Sequence, residues 1–116
     1  MSITVSATEL ASFRDEYGSA CFLTKVDTST TSAKVIHVPV RCDGQVFRCT
    51  PGGGTLKNLG DGAPVTLIFP APSPGSLSML IDGFGRDSGH SVAEIDFLSG
   101  VLHRPAPGDV GEQSQC

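Results

Sequence analysis

Apolar residues recur with a helical period near the start of the chain and alternate with polar residues through much of the remainder. Leu10, Phe13 and Tyr17 are spaced as one face of a helix, and a Ser-x-x-Glu capping box precedes them. With the glycine after the tyrosine as a stop signal, this pattern predicts a helix over residues 7–17. A second, short helix is predicted at 55–59, ahead of the helix-breaking sequence GDGAP.

Stretches of alternating or wholly apolar character predict strands. They lie at residues 20–26, 34–41, 45–50, 65–69, 77–86, 90–98 and 100–104. Asp43-Gly44 is typical of a two-residue hairpin turn, which would place Cys42 opposite Gln45. Because short turns separate most of these strands, the chain is expected to form an antiparallel β-barrel of six or seven strands with helices at its ends.

Length, charge and apolar content restrict the classes of protein that fit the sequence. The 116 residues suffice for one domain, assigned to residues 1–105, while residues 106–116 have too few apolar side chains to pack and are expected to be a flexible tail. No apolar run reaches the roughly 20 residues that cross a bilayer, the N-terminus has no secretory signal pattern, and the net charge is −4. We therefore expect a cytoplasmic protein that binds neither membranes nor nucleic acid.

The four cysteines are expected to be reduced in that compartment. In the predicted hairpin Cys49 faces Val38, about 13 Å from Cys42, whereas bridged α-carbons lie within about 7 Å. The cysteine spacing matches no zinc motif, so no metal site is expected. A reactive thiol at Cys21, Cys42, Cys49 or Cys116 is one alternative function.

The polar face of the predicted hairpin carries cations and a hydroxyl. The predicted register places His37, Arg41, Arg48 and Thr50 on the side away from the core. This face leads into a glycine run, where backbone amides can approach a ligand, and into the positive end of the second helix. These features predict a phosphate-binding site formed by Arg41, Arg48, Thr50, Gly53, Gly54, Thr55 and Lys57. The alternative is a solvated polar face followed by a long turn, with no ligand.

Several segments, in this order, resemble a known family. They are AxxLTxV at 20–26, VxxxPVxxDGxVxRxT at 35–50, TLKNL at 55–59, PVTLIFP at 64–70 and LSMLIDGFGR at 77–86. Over about residues 8–105 this order is similar to that of the pyridoxamine 5'-phosphate oxidase-like split barrels, above all the short actinobacterial members whose last strand ends in VLHRP. The resemblance implies a mainly β, six-stranded antiparallel split β-barrel of Greek-key type with two short helices.

The resemblance also implies a cofactor and a partner. Such proteins are homodimers that bind FMN, or the deazaflavin F-420, in a groove between the subunits. Thr50 and Asn58 match family positions near the cofactor phosphate, and Arg41 or Arg48 would supply the strand cation. The implied function is that of a flavin- or deazaflavin-dependent oxidoreductase that acts on a small molecule.

The sequence departs from the family pattern at two places. Thr55 stands where many members have lysine or arginine, and Lys57 follows two residues later, on a different side of the helix. The long C-terminal segment with which true pyridoxamine phosphate oxidases hold the vitamin substrate has no counterpart, so that particular enzyme is not expected. No catalytic acid or base is identified, and the alternative is a dimeric split barrel that binds a cofactor or ligand without catalysis.

Overall fold

Eight β-strands and two short helices form the part of the chain that the structure describes. A computed structural model describes residues 2–27, 30–60 and 62–104. The strands are β1 (Ser2–Val5), β2 (Ala20–Asp27), β3 (Ser32–Pro39), β4 (Arg41–Asp43), β5 (Val46–Cys49), β6 (Ala63–Phe69), β7 (Ser78–Asp87) and β8 (Ala93–His103). The helices are α1 (Leu10–Tyr17), preceded by a 3-10 turn (Ala7–Glu9), and α2 (Gly53–Leu59), and neither is long and apolar enough to cross a membrane. The predicted tail at 106–116 lies outside the described residues, so the division at residue 105 stays a prediction.

One antiparallel sheet contains all eight strands. Their order is β3-β2-β6-β7-β8-β5-β4, and β1 pairs with β8 beside this path. One side of β8 pairs with β7, while on its other side the first residues pair with β5 and the last with β1. The sheet curls into a half-barrel, which confirms the predicted mainly β, antiparallel split-barrel fold with two short helices.

The strand predicted at residues 34–41 is two strands in the structure. β3 pairs with β2 and β4 pairs with β5, at opposite ends of the strand order. Pro39 has no N–H to continue a ladder, and the N–H of Val40 donates to the carbonyl of the residue before β2 at 2.8 Å. The chain therefore leaves one edge of the sheet and joins the other. His37 lies opposite Phe22 of β2, with ring centroids 4.6 Å apart, so its predicted place on the hairpin beside Arg41, Arg48 and Thr50 is wrong.

The hairpin register also differs from the predicted one. Gly44 and Gln45 form the turn, and Arg41 lies opposite Arg48 instead of Val46. Gly44 has a φ of +66°, a conformation that favours glycine. The partner of each residue shifts by two positions, and side chains alternate with a period of two. The two arginines therefore still share one side of the hairpin, as predicted.

A bulge joins two strands that the sequence analysis separated. Residues 93–103 form the single strand β8, and Leu98 is the extra residue where the pairing with β7 changes register beside Gly83. A Cβ on Gly83 would lie 2.3 Å from the backbone oxygen of Asp96. The close approach of β7 and β8 therefore requires glycine at this position.

The core fills the inner side of the curled sheet. Its largest fully buried side chains from the strands include Leu23, Phe47, Leu67, Phe69, Met79, Ile81 and Ile95. Leu10 of α1 and Leu59 of α2 pack against this cluster, and Val5 anchors β1, which the sequence analysis did not predict. Burial of each such side chain contributes roughly 1.5–3 kcal/mol, so these residues determine which face of each strand points inward.

The cysteines in β2, β4 and β5 are free thiols. Cys42 lies opposite Phe47 and not opposite Gln45 as predicted. Burial raises the pKa of Cys21 to about 12 and that of Cys49 to about 11. Thiols with pKa values this high are poor nucleophiles at neutral pH, and both side chains act as core residues. Residue 116, the fourth cysteine, lies outside the described ranges.

Candidate functional site

A groove of about 320 Å³ lies where α1 meets the β4–β5 hairpin. It brings together Arg41, Arg48 and Thr50, three of the predicted site residues, and adds Arg14 from α1. The other residues that line it are Ser19, Pro39, Val40, Cys49 and Val92. Three arginines, a serine and a threonine therefore line one cavity, which we call the basic groove. Elsewhere in the described ranges, no group of three or more His, Cys, Asp or Glu side chains is arranged to hold a metal ion.

Arg14 is a charged residue on the apolar side of α1. It follows the buried Leu10 by four residues and precedes Tyr17 by three, so it shares their helix face. Its Nη2 donates a hydrogen bond to the backbone oxygen of Val40 at 3.0 Å. Its Nε is buried and has no hydrogen-bond partner among the described residues. Arg14 was not among the predicted site residues, although a charged residue within an apolar helix stripe can be recognised from the sequence.

Arg48 is held by carboxylates from both neighbouring strands. Its Nη1 donates to Oδ2 of Asp43 and its Nε donates to Oε2 of Glu94, each at 2.8 Å. Glu94 also accepts a hydrogen bond from Nη2 of Arg86 at 2.8 Å, and Arg86 pairs in addition with Asp96. The hydrogen bonds from Arg48 and then from Arg86 hold the pKa of Glu94 below its usual range. Protein carboxylates therefore fix Arg48 and match its charge.

Arg41 has no ion pair within the described part of the chain, in contrast to Arg48. Its side chain is exposed and lies directly opposite Arg48 in the β4–β5 ladder. Like charges at directly opposed positions repel each other. Since Asp43 and Glu94 already offset the charge of Arg48, little of that repulsion remains, and Arg41 is the cation of the basic groove that is most available to a ligand.

A second groove, of about 270 Å³, adjoins the first. It shares Arg14 and Arg41 with the basic groove, and Ala11, Asp15 and Cys42 complete its lining. Nη1 of Arg14 lies 3.9 Å from Oδ1 of Asp15, whose side chain is 85% exposed. A pair this long and this exposed contributes little, so Asp15 does not neutralise Arg14 effectively.

The remaining predicted site residues belong to α2 and do not line the basic groove. Gly53 and Gly54 begin the helix, the Thr55 side chain is buried, Lys57 is exposed and Asn58 is half-buried. The helix packs against β2, β6 and β7. A Cβ on either glycine would meet no atom within 4 Å, so packing does not require glycine there. The structure gathers the hairpin residues of the predicted site and leaves the helix residues outside that cavity.

The outer side of the sheet exposes several large apolar side chains. Val26, Val35, Phe84 and Leu98 are 53%, 61%, 44% and 59% exposed. Three of them line a shallow, open groove of about 420 Å³ across β2, β6, β7 and β8. We call this surface the outer apolar face. Arg86 follows Phe84 by two residues on the same side of β7, so the ion pairs around Glu94 border this face.

Comparison with known proteins adds one finding about the fold. No protein-family model matches the sequence. No curated protein matches it either. Among solved structures, the chain is similar to the FAD binding protein from Mycobacterium smegmatis, with a TM-score of 0.61 and 14% sequence identity. The match covers 90% of this chain and 100% of that protein. The two proteins therefore share a fold over nearly their whole lengths.

Proposed function

We propose that the protein binds a flavin and holds the cofactor's phosphate in the basic groove. The observation that carries this proposal is that three arginines line one cavity, and that one of them, the exposed Arg41, has no ion pair among the described residues. Phosphate oxygens are acceptors that suit guanidinium donors, and the hydroxyls of Ser19 and Thr50 add two further donors. The donor set thus fits an anionic group, and the fold is shared with a FAD binding protein.

FMN is the cofactor we propose first, with the deazaflavin F-420 as the alternative, because the motifs around Thr50 and Asn58 resemble the pyridoxamine 5'-phosphate oxidase-like family. Membership of that family is part of the proposal. Gly53, Gly54, Thr55, Lys57 and Asn58 of α2 lie outside the basic groove, and they are proposed contacts to the part of the cofactor that extends beyond it. Thr55 is the weakest of them, since its side chain is buried against the sheet.

The proposed activity is that of an oxidoreductase with a small-molecule substrate. When bound, the flavin supplies the hydride or electron transfer, and the protein supplies binding and orientation. Arg14 and Arg41 hold the phosphate, and Asp43 and Glu94 keep Arg48 fixed at the edge of the groove. These contacts position the cofactor without taking part in the chemistry.

A non-catalytic flavin-binding module is the second candidate. The described side chains that line the basic groove include no carboxylate and no imidazole that would accept or donate a proton there. A groove lined by these side chains is as consistent with binding an anion without catalysis as it is with catalysis.

We also propose that the protein is a homodimer, with the cofactor site near the subunit interface. The outer apolar face would form the interface, because contiguous exposed apolar surface on a small domain marks an association site. The ion pairs around Glu94 border this face and lie next to the basic groove, so a partner seated on the face would approach the cofactor.

Spectroscopy and titration of the purified protein test the proposal. A flavin absorption spectrum, or quenching of flavin fluorescence on titration with FMN or the deazaflavin, is expected. Arg41→Gln should weaken binding by about 10- to 100-fold, the loss of about 1.5–3 kcal/mol from a charge-assisted hydrogen bond. Lys34→Gln, an equal change of charge on the exposed part of β3, is the control and should leave affinity unchanged. Equal affinities for wild type and Arg41→Gln would remove the basic groove from the site.

Turnover separates the two candidate functions. An oxidoreductase should allow its bound flavin to be reduced by a nicotinamide donor and reoxidised by a small-molecule acceptor over many cycles. A protein that binds flavin tightly yet shows no turnover above free flavin is the binding module.

A further inference from the structure

The turn between β7 and β8 holds two residues in a backbone conformation that favours glycine. His90 and Ser91 have φ values of +55° and +64°, and the N–H of Val92 donates to the carbonyl of Gly89 at 3.0 Å. Positive φ at both central residues is the pattern of a type I′ hairpin turn, in which Asn-Gly is the favoured pair. A Cβ lies too close to a carbonyl oxygen in this conformation, so both residues are strained.

Hydrogen bonds around the turn keep it in this conformation. The N–H and the Oγ of Ser88 both donate to the carbonyl of Val92 at 2.9 Å, and Oδ1 of Asp87 accepts from the N–H two residues further on, also at 2.9 Å. The side chains of His90 and Ser91 take no part in these bonds. Both residues are exposed, and their side chains make no hydrogen bond with the described part of the chain. Strained residues that the surrounding structure holds in place are concentrated at ligand-binding sites.

The turn lies between the two parts of the proposed cofactor site. Val92, which directly follows the turn, lines the basic groove. Asp87, the last residue of β7, donates its N–H to the carbonyl of Gly60 at 3.0 Å, and Gly60 is the residue that ends α2. His90 and Ser91 therefore lie between the cavity proposed for the phosphate and the helix proposed to contact the rest of the cofactor.

In FMN a polyol chain joins the phosphate to the ring, so the ligand atoms next to a phosphate cavity are hydroxyl groups. An imidazole and a hydroxyl suit such a chain, because each of them can donate and accept hydrogen bonds. We propose that His90 and Ser91 bind the polyol chain of the cofactor, and that the strain in the turn is retained because both side chains contact the ligand. This inference rests on the proposed function for the position of the phosphate.

Two double variants separate the side chains from the strain. His90→Ala with Ser91→Ala removes both proposed contacts and keeps a Cβ at each strained position, so its Tm should stay within about 2 °C of the wild-type value. His90→Gly with Ser91→Gly removes the contacts and also relieves the strain. Its Tm should rise by about 2–6 °C, because the relief in the folded state exceeds the entropy that glycine adds to the unfolded chain.

Three ligands locate the contact along the cofactor. Binding of FMN is followed by flavin fluorescence, and binding of ribitol 5-phosphate and of orthophosphate is followed by calorimetry at the same pH and ionic strength. Ribitol 5-phosphate carries the chain without the ring, and orthophosphate carries neither. Loss of two hydrogen bonds should weaken FMN and ribitol 5-phosphate at least about tenfold in both double variants, while the affinity for orthophosphate changes by less than about threefold.

Thr31 provides the matched control for the backbone. It also has a positive φ, of +53°, and it directly precedes β3, at the opposite end of that strand from Pro39, which lines the basic groove. Thr31→Gly should raise the Tm and leave all three affinities unchanged. A loss of affinity that occurs only with changes in the β7–β8 turn is then not a general effect of relieved strain.

The outcomes distinguish this inference from the proposed function. Wild-type affinity for FMN in both double variants would overturn the polyol contact and leave flavin binding intact. In a protein that binds no flavin, tighter binding of ribitol 5-phosphate than of orthophosphate, lost in both variants, would support the contact and overturn the flavin proposal. Binding of neither FMN nor ribitol 5-phosphate by the wild type would overturn both. A loss of affinity in the glycine pair alone would assign the effect to rigidity of the turn and contradict contacts from the two side chains.

Discussion

Replacement of Gly83 by alanine tests the geometry that curls the sheet. The new Cβ would lie 2.3 Å from the backbone oxygen of Asp96 and 2.9 Å from Cγ2 of Ile95. A carbon–oxygen contact is normally no shorter than about 3.3 Å, so β7 and β8 would have to separate by about 1 Å at the bulge. Over-packing of this kind costs about 1–3 kcal/mol, and we expect the upper half of that range because the obstacle is backbone and not the end of a side chain. Since Asp96 also pairs with Arg86, the displacement should reach the ion pairs beside the basic groove.

Thermal unfolding followed by circular dichroism measures the effect. For a domain of this size about 1 kcal/mol corresponds to roughly 4 °C, so Gly83→Ala should lower the Tm by about 8–12 °C. Gly54→Ala is the matched control, because its Cβ would meet no atom within 4 Å and the position is helical. That variant should be neutral or more stable by up to about 1 kcal/mol. If Gly83→Ala unfolds at the wild-type temperature, the register of β7 on β8 described above is wrong.

Three further predictions concern charge, thiols and association. The pKa of Glu94 in the folded state lies below its ordinary value of 4.5, so its charge stabilises the fold above that pH, and this stabilisation is lost as the pH falls below it. The denaturant midpoint should therefore fall less steeply between pH 5 and about pH 2 in Glu94→Gln than in wild type. Identical slopes in the two proteins would refute this prediction. At pH 8 a thiol reagent should not label Cys21 or Cys49 in the folded protein and should label both after unfolding, as peptide mapping would show. Rapid labelling of either cysteine in the native state would contradict their burial. Leu98→Glu should convert the proposed dimer into monomers in sedimentation velocity, whereas an unchanged dimer would exclude the outer apolar face as the interface.

Local patterns were sufficient to predict most elements and one half of the candidate site. Helix α1 follows from the spacing of Leu10, Phe13 and Tyr17, and the capping box is formed, with Ser6 N donating to Glu9 at 2.9 Å. Arg41 and Arg48 share a side of the hairpin in the predicted register and in the observed one, because strand side chains alternate whatever the partner is.

The features that the sequence analysis missed depend on contacts between distant segments. Residues 34–41 were predicted as one strand, because the edge of the sheet that the chain joins after Pro39 depends on closure of the whole sheet. Glu94 becomes part of the site only because β8 lies beside β5, an arrangement that alternation within β8 does not reveal. The bulge at Leu98 depends on pairing with β7, and without that pairing residues 90–98 and 100–104 were predicted as separate strands. Arg14 alone left a local signal, as a charge in an apolar stripe.

A crystal structure of the protein with a bound flavin nucleotide is the most direct test of the central claim, that the basic groove holds the phosphate of a flavin. We predict phosphate oxygens within about 3 Å of the guanidinium groups of Arg41 and Arg14, as in charge-assisted pairs. Density for a flavin whose phosphate lies away from both arginines, for example over the outer apolar face, would contradict the claim. So would crystals grown at saturating flavin in which the basic groove holds only solvent.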